Sequence, residues 1–166
     1  MRTHTVIESP IGALTLVATT GTLSGLYMQE HRHQPDVSTF GERRAAGFEE
    51  AVEQLGEYFA GQRRWFSVPT SLAGGDFQSR VWHALATIPF GETTTYGRIA
   101  AALGHPGAAR AVGTAVGRNP ISVVVPCHRV VGSNGNLTGF AGGLGRKRFL
   151  LDLERPPQVP AQLFVP

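Results

Sequence analysis

The stretch from Val123 to Val131 places the single cysteine of the chain between two runs of β-branched residues. Such runs predict a buried strand, and Pro126 has no amide proton, so the first run must end there or at a bulge. Cys127 is therefore expected at the edge of a rigid core, with His128 beside it. An imidazole near a thiol favours the thiolate, which is the nucleophilic form of cysteine. The alternative is an inert, buried cysteine.

The composition limits the class of protein. A chain of 166 residues with 42% hydrophobic content suits one large domain or two small domains that share a core. It contains no long apolar run, and its N-terminus has no signal-peptide pattern, so we expect a cytoplasmic protein that does not enter a membrane. One cysteine excludes an internal disulfide and a multi-cysteine zinc site. His31 and His33 have no cysteine partners and predict a loop, not a metal site.

Charge is distributed unevenly along the chain. Residues 1–75 carry 6 basic and 8 acidic residues, whereas residues 76–166 carry 9 basic and 4 acidic residues. Between Glu92 and Asp152 there are seven basic residues and no acidic residue. A long stretch of one sign is typical of a surface that binds a polyanion such as nucleic acid. A compositional preference for arginine, 14 of the 15 basic residues, does not explain the missing acidic residues.

Residues 1–75 predict an N-terminal α/β domain. Short β-prone runs at 5–8, 14–19 and 23–28 are separated by turns, which predicts a three-stranded antiparallel sheet. Residues 29–46 are polar and irregular and predict a surface loop.

An amphipathic helix is predicted to cover this sheet and to end at Gly61. Its apolar side chains recur at helical spacing: Phe48, Val52, Leu55 and Phe59. The glycines and proline of residues 61–75 predict a boundary between two domains.

Residues 76–166 predict a mostly helical second domain. Asp76 is a candidate N-cap for a helix that ends before Ile88–Gly91. Two shorter helices, one from Thr95 to Leu103 and one from Ala108 to Gly117, are separated by a glycine-containing turn. Two such helices inside the acid-free stretch predict a helix-turn-helix.

The second helix of this pair has few side chains that could read base edges. Its small residues are Ala108, Ala109, Ala111, Gly113, Ala115 and Gly117. Only Arg110 and Arg118 project from it, so sequence-specific recognition is not expected. A bare helix can approach a duplex closely while one large side chain enters the base stack; the alternative is that the small residues only permit tight helix packing.

A glycine-rich loop and a closing helix follow the cysteine. The loop, Leu137–Gly143, carries Phe140 and could form the wall of a flat pocket, and it lacks the GxGxxG spacing of a nucleotide-cofactor site. The helix from Arg146 to Leu153 is predicted to bury its apolar residues Phe149, Leu150 and Leu153. Glu154 lies at its C-terminal end, where the helix dipole disfavours negative charge, so another interaction must hold it there.

The chain is similar to the O6-alkylguanine-DNA alkyltransferases, that is, methylated-DNA–protein-cysteine methyltransferases. The motifs that carry this resemblance are Pro126–Val130, Ile88–Thr93, Ala109–Gly113 and the pair Asn119-Pro120. It extends over essentially the whole chain and is strongest from Phe77 to Glu154. It implies an α+β fold with an RNase H-like N-terminal part, residues 1–75, and a winged-helix-like C-terminal part, residues 76–166, that binds DNA and transfers the alkyl group.

The resemblance also implies a mechanism. Cys127 would take the alkyl group from O6-alkylguanine in DNA, and also from O4-alkylthymine, in a single turnover that needs no cofactor. His128 would activate the thiol through a water molecule, and Glu154 would orient the imidazole. Asn119 would brace the active-site turn, and Tyr96 would donate to the guanine ring as charge develops.

Double-stranded DNA is the partner that the resemblance implies, bound through the minor groove and without sequence preference. A base in a duplex must be flipped to reach a thiol, and Arg110 would fill the vacated stack. The implied DNA-binding residues are Arg110, Tyr96, Ala109, Ala111, Gly113 and Arg118, and the implied pocket residues are Val130, Phe140, Ala141 and Tyr96. We expect a monomer, and cooperative binding along DNA stays open.

This chain departs from the family pattern at Phe140, where tyrosine is common, so a hydroxyl is lost there. No cysteine precedes Cys127, which argues against the structural zinc of some relatives. Three other interpretations compete. A non-catalytic alkylguanine-binding protein would lack the cysteine, a cysteine hydrolase does not explain the basic stretch, and a sequence-specific transcription factor does not explain the surroundings of Cys127.

Overall fold

In the computed structural model, which describes residues 1–156, the first half of the chain forms a four-stranded sheet. Strands β1 (Arg2–Ile7), β2 (Leu14–Thr19) and β3 (Thr22–Met28) pair in an antiparallel meander, as predicted. A fourth strand, β4 (Glu42–Arg43), pairs in parallel with β1. It lies in the segment predicted as a loop. Two exposed, charged residues carry no periodic signal, so the sequence could not reveal it.

The two faces of this sheet bury different side chains, which is the expected result of alternation along a strand. Leu14, Leu16 and Leu26 are completely buried in the main hydrophobic core. On the other face, Tyr27 stacks on Phe40, their ring centroids 5.4 Å apart, in a small second cluster.

Helix α1 (Glu49–Phe59) packs on the core face of the sheet and is followed by Gly61, whose φ of +76° suits the end of a helix. Its buried side chains include Ala51, Leu55 and Tyr58, whereas Val52 is 37% exposed. The predicted apolar stripe is therefore wrong at Val52. The helix is rotated so that Tyr58 faces inward, where its hydroxyl finds a buried partner described below.

The second half of the chain is mostly helical. Helix α2 (Asp76–Ala86) begins after Gly75, so Asp76 is its first residue and not its N-cap. Helices α3 (Tyr96–Ala102) and α4 (Ala109–Gly117) form the predicted helix-turn-helix. The side chain of Thr95 caps α3 by accepting a hydrogen bond from the backbone N–H of Arg98 at 3.1 Å.

The valine segment before the cysteine is buried, as predicted, but it is a turn and not a strand. Val123 has a φ of +72°, a left-handed conformation that is rare for a β-branched residue. Side-chain hydrogen bonds from Asn119 hold this turn, so a strand partner is not needed. The strand of this region is β6 (Val130–Val131), which pairs in parallel with β5 (Thr94–Thr95).

Helix α5 (Leu144–Glu154) closes the described part of the chain. It buries Lys147, Leu150 and Glu154 completely or nearly so, whereas Phe149 is 39% exposed and Leu153 is only partly buried. The prediction that Phe149 is buried is wrong, because the inward side of α5 carries Lys147, Leu150 and Glu154, and Phe149 lies on another side of the helix. The proline-rich tail predicted to fray continues into residues 157–166, which lie outside the described residues.

One hydrophobic cluster includes buried side chains from both halves of the chain. The backbone N–H of Leu26 in β3 also donates to the carbonyl of Pro120 at 2.8 Å, which attaches the sheet to the turn before the cysteine. The described helices are all too short or too polar to span a bilayer. The sheet and the active-site turn are thus parts of one packed structure.

Candidate active site

Cys127 begins a single 3-10 turn, Cys127–Arg129, that connects the valine turn to β6. Its side chain is 4% exposed and lines a cavity of about 730 Å³. This volume lies within the usual range of small-molecule pockets, about 300 to 1,000 Å³. Tyr96 at the start of α3, Gly113 of α4 and Phe140 of the glycine-rich loop line the same cavity. The thiol is therefore shielded from bulk water but open to a ligand.

Opposing effects act on the ionisation of this thiol. Burial raises the pKa of Cys127, whereas the side chains of Asn119 and Ser122 and the charge of Lys147 lower it. Ser122 Oγ is buried and has no partner of normal hydrogen-bond geometry within residues 1–156, so its contact with the sulfur is weak. Burial is the largest effect. The thiol is thus held in its protonated form until a base removes the proton.

Asn119 braces the turn that presents the thiol. Its Nδ2 donates to the carbonyl of Val125 at 2.8 Å, and its Oδ1 accepts from the backbone N–H of Ile121 at 3.0 Å. The amide thus satisfies two buried backbone groups that would otherwise need a strand partner. This is the role that the family resemblance implied for Asn119.

His128 is completely buried next to the cysteine. Its Nε2 lies 2.7 Å from Oε2 of Glu154, and because a carboxylate can only accept, Nε2 carries the proton. Burial lowers the pKa of His128, and its hydrogen bond to Glu154 opposes that effect only in part. The imidazole is therefore neutral, and Nδ1 has a free lone pair. This atom is buried and has no hydrogen-bond partner in the described chain.

Glu154 is the centre of a buried hydrogen-bond network. Besides His128, Tyr58 donates to its Oε2 at 2.5 Å, and Arg129 donates from Nε to Oε1 at 2.8 Å and from Nη2 to Oε2 at 3.0 Å. Burial alone would raise the pKa of Glu154, but these donors outweigh it and lower the pKa to about 2. The carboxylate thus stays ionised while it holds the imidazole, which explains its position at a helix C-terminus.

Arg129 supplies the charge that balances Glu154. Its Nη1 donates to the carbonyl of Ile88 at 2.6 Å, and its guanidinium lies 5.8 Å from the ring centroid of Phe90. A buried carboxylate is tolerated only with such a partner. Sequence analysis assigned no role to Arg129, although it lies within the motif around the cysteine.

Lys147 is a second residue that sequence analysis missed. Its side chain is completely buried, and Nζ donates to the carbonyls of Thr138 at 2.7 Å and Gly139 at 3.4 Å. Burial lowers the pKa of Lys147 to about 8, and the nearby Cys127 opposes this shift. The lysine therefore holds the glycine-rich loop and places its charge near the thiol. The sequence did contain one indication of its importance: Lys147 is the only lysine among the 15 basic residues.

Other predicted pocket residues divide into two groups. Phe140 and Ala141 line the cavity, and the hydroxyl of Tyr96 accepts a hydrogen bond from Thr138 Oγ1 at 3.1 Å. Val130 is completely buried in β6 and is not among the lining residues, so the structure does not place it in the cavity wall. Two lining residues were not predicted, Arg32 and His33 from the segment after β3.

Helix α4 carries the predicted DNA-binding side chains on one side of the cavity. Ala109, Arg110, Gly113 and Arg118 line it, whereas Ala111 is exposed.

The seven basic residues of the acid-free stretch are put to two uses. Those at 98, 110, 118 and 148 are exposed, whereas those at 129 and 147 are buried at the site and the one at 146 is partly buried. Within residues 1–156, no group of three histidine, cysteine or acidic residues is placed to hold a metal ion. The basic stretch therefore serves both a surface and the interior of the site.

Two family models match the chain. The 6-O-methylguanine DNA methyltransferase DNA-binding domain matches residues 76–156, and the ribonuclease-like domain of the same methyltransferase matches residues 3–72. The chain belongs to the 6-O-methylguanine DNA methyltransferase family. The family identified from the sequence motifs is thereby confirmed.

Similar proteins in this family cover almost the whole chain. The methylated-DNA–protein-cysteine methyltransferase of Mycolicibacterium paratuberculosis is 53% identical over 92% of both chains, and that of Methanosarcina acetivorans is 46% identical over 91% of this chain and 97% of its own. A crystal structure of Mycobacterium tuberculosis OGT in complex with DNA has a TM-score of 0.87 and 51% identity over 92% of both chains. The predicted α+β fold class is confirmed by this structural similarity and by the match to the ribonuclease-like domain.

Proposed function

We propose that the protein repairs DNA directly, by moving the alkyl group of O6-alkylguanine, and also of O4-alkylthymine, onto the sulfur of Cys127 in a single turnover. One observation carries this proposal. The only cysteine of the chain lines a cavity beside the helix-turn-helix, and the histidine next to it is neutral, with an Nδ1 that has no hydrogen-bond partner within residues 1–156. A nucleophile and a general base are thus adjacent in a site that excludes bulk water.

The transfer begins with removal of the thiol proton. Neutral His128 accepts it at Nδ1 through a bridging water molecule, and Glu154 stabilises the imidazolium that results. Lys147 stabilises the thiolate, whose formation burial opposes. Because the pKa of Glu154 is about 2, the carboxylate keeps its charge and does not take the proton itself.

The thiolate then attacks the alkyl carbon. A carbon–sulfur bond forms as the bond from that carbon to O6 breaks, and the electron pair of the broken bond stays on the guanine. Tyr96 donates a hydrogen bond to the ring as this charge develops, and uptake of one proton, equivalent to the one removed from the thiol, restores neutral guanine. The thioether left on Cys127 has no easy leaving reaction, so the protein acts once. Apart from the bridging water, every group in this reaction belongs to the chain or the substrate, so the proposed reaction needs no cofactor.

DNA binding places the damaged base in the cavity. The bare surface of α4, formed by Ala109, Ala111 and Gly113, lies in the minor groove without reading the sequence. The damaged nucleotide is flipped at a cost of a few kcal/mol, and Arg110 fills the space it leaves. Arg118 contacts the backbone. In the cavity, Phe140 and the backbone of Ala141 contact the flipped base.

The two halves of the chain divide this work. Residues 76–166 bind DNA and carry the thiol, and residues 1–75 support the site, since Tyr58 of α1 donates to Glu154. The protein acts as a monomer, because one chain contains every group that the reaction needs, and it works in the cytoplasm.

Mass spectrometry of the intact protein after exposure to a duplex with one O6-methylguanine tests the proposal. We expect a gain of one methyl group on Cys127 and a stop at one equivalent. Cys127→Ala should bind the same duplex and gain nothing. Repeated turnover would indicate a hydrolase, and binding by the unmodified chain without any transfer would indicate a non-catalytic alkylguanine-binding protein.

A further inference from the structure

The segment after β3, residues 30–34, forms part of the wall of the thiol cavity. Its Arg32 and His33 both line that cavity. The backbone N–H of Arg32 donates to the carbonyl of Ala141 at 2.8 Å, which attaches the segment to the glycine-rich loop. Arg146 of α5 holds the same region, since its Nη1 donates to the carbonyls of Gln29 at 2.6 Å and Gly142 at 3.0 Å. The first half of the chain therefore reaches the mouth of the site in a fixed position.

A second cavity of about 360 Å³ adjoins the first. The two cavities share four lining residues: Arg32, His33, Gly117 and Arg118. Away from this shared border, the second cavity lies between the sheet, where Arg2 and Tyr27 line it, and the first turns of α2, where Gln78 lines it. The space beside the thiol thus continues past the end of α4 towards the N-terminal sheet.

This second cavity has uncompensated positive charge. Arg2, Arg32 and Arg118 line it, and none of them forms an ion pair with another residue of the described chain. No aspartate or glutamate lines either cavity. The acidic residues nearest to Arg32 in the sequence, Glu30 and Asp36, line neither cavity. The Asp36 carboxylate accepts a hydrogen bond from the backbone N–H of Ser38.

The two histidines of the segment differ. His31 is buried, its Nδ1 accepts from the backbone N–H of Met28 at 3.1 Å, and burial lowers its pKa to about 4, so it carries no charge at neutral pH. His33 is exposed. The permanent positive charge of the second cavity comes from its three arginines, because a guanidinium stays protonated at any pH at which the protein is folded.

We propose that the second cavity binds the phosphodiester backbone of the damaged strand, with Arg2, Arg32 and Arg118 as phosphate ligands. A flipped nucleotide stays attached to its neighbouring phosphates, so a base in the thiol cavity brings those phosphates to its border. Arginine is suited to this task because its planar guanidinium can donate two parallel hydrogen bonds to a phosphate. The N-terminal half then belongs to the DNA-binding surface. This inference rests on the function proposed above.

The salt dependence of DNA affinity tests this assignment. In a Cys127→Ala background, which keeps the complex from reacting, we expect Arg32→Ala and Arg2→Ala each to lower the magnitude of the log–log salt slope by about 0.9, the contribution of one phosphate contact to a duplex. Arg44→Ala is the matched control, since Arg44 is an exposed arginine of the same half that lines neither cavity. Slopes for Arg32→Ala and Arg2→Ala equal to that of the control would overturn the proposal.

A second measurement changes the DNA and leaves the protein as it is. Single methylphosphonate substitutions near the damaged base each remove one phosphate charge. At one position or more, we expect the methylphosphonate to weaken binding by the Cys127→Ala protein. At that position it should not weaken binding by the protein that carries both Cys127→Ala and Arg32→Ala. Fully additive losses at every position contradict the assignment, and the scan with the single variant still shows whether phosphates beside the damaged base are contacted at all.

Failure of this inference is distinct from failure of the proposed function. The proposed function is checked by transfer from free O6-benzylguanine to Cys127, which involves no phosphate. Transfer with unchanged salt slopes rejects only the second cavity as a phosphate site. Absence of transfer rejects the proposed function.

Discussion

Tyr58 and Glu154 are separated by 96 residues in the chain, yet the tyrosine hydroxyl donates a hydrogen bond of 2.5 Å to the carboxylate. Tyr58 lies on α1 in the first half of the chain, and Glu154 is the last residue of α5. Since Glu154 also holds His128, the orientation of the imidazole next to the thiol depends on a helix that contributes nothing else to the site.

Tyr58→Phe should therefore destabilise the protein by about 1 to 3 kcal/mol, because it leaves a buried, charged acceptor with one donor fewer. It should also raise the pKa of Glu154, since the tyrosine hydroxyl is one of the groups that lower it. Urea denaturation at pH 7 measures the first effect. Tyr27→Phe is the control, because the Tyr27 hydroxyl makes no side-chain hydrogen bond within residues 1–156. Equal losses in the two variants would refute the role of the hydroxyl.

Glu154→Gln should have a larger effect, a loss of about 3 to 5 kcal/mol, because it leaves the buried guanidinium of Arg129 without its counter-charge. The rate of alkyl transfer should also fall, since His128 loses the anion that stabilises its protonated form. Asp152→Asn is the matched control on the same helix, where an exposed ion pair with Arg155 is worth at most about 1 kcal/mol. Urea denaturation measures the loss of stability of each variant, and single-turnover kinetics measure the loss of transfer rate. A loss of stability no larger than that of Asp152→Asn would show that the buried pair of Glu154 and Arg129 does not stabilise the protein.

The same carboxylate should control stability in acid. The pKa of Glu154 is lowered from 4.5 to about 2 in the folded protein, so its contribution is complete above pH 4.5 and is lost as the pH falls towards 2. Over that window the unfolded chain binds about one proton that the native state does not, so the free energy of unfolding should fall by up to about 1.4 kcal/mol for each pH unit that the pH is lowered. Urea denaturation between pH 5 and pH 2 should show this slope in the unmodified protein and a shallower one in Glu154→Gln.

How far the fold could be predicted depended on where its hydrogen bonds come from. Strands β1 to β3 and helices α3 and α4 satisfy their backbone groups locally, so alternation and spacing were sufficient to predict them. The valine segment has the composition of a strand, but the Val125 carbonyl bonds to the side chain of Asn119, and the amides of Val124 and Val125 bond to carbonyls within the turn. The pattern of apolar residues gives no sign of a side chain that replaces a neighbouring strand as hydrogen-bond partner. The burial of the valine segment was therefore predicted correctly, and its turn conformation was not.

Some residues of the active site could be predicted from the sequence, and others could not. Cys127, His128 and Asn119 are close in sequence, and their motif predicted that they act together. Lys147 and Tyr58 enter the site only through the packing of α5 and α1. A pattern of apolar residues does not identify a buried lysine or a tyrosine whose partner lies 96 residues away.

Lys147→Met should shift the reactivity of Cys127 to higher pH. The ammonium of Lys147 lowers the thiol pKa, and with its own pKa at about 8 it is mostly charged at pH 7. Without this charge less thiolate forms, and each unit added to the thiol pKa lowers the rate at pH 7 by about tenfold. The rate of transfer from O6-benzylguanine, measured from pH 6 to pH 9, checks this. Arg148→Met removes the neighbouring, exposed charge and should leave the curve in place; superimposable curves for Lys147→Met and the unmodified protein would rule out the electrostatic role.

Arg110→Ala should slow repair of duplex DNA more than it slows reaction with free O6-benzylguanine. Arg110 is exposed on α4 and lines the thiol cavity, so its side chain is placed to fill the stack when a base is flipped. Only the duplex must be opened, and unstacking costs a few kcal/mol, so the loss should be confined largely to that substrate. Single-turnover rates measured on both substrates give the ratio of the duplex rate to the O6-benzylguanine rate, which should fall in Arg110→Ala. Arg148→Ala, which removes an exposed arginine of α5 outside the cavity, should leave the ratio unchanged, whereas equal losses on both substrates for Arg110→Ala would show that the arginine acts on the chemistry and not on base flipping.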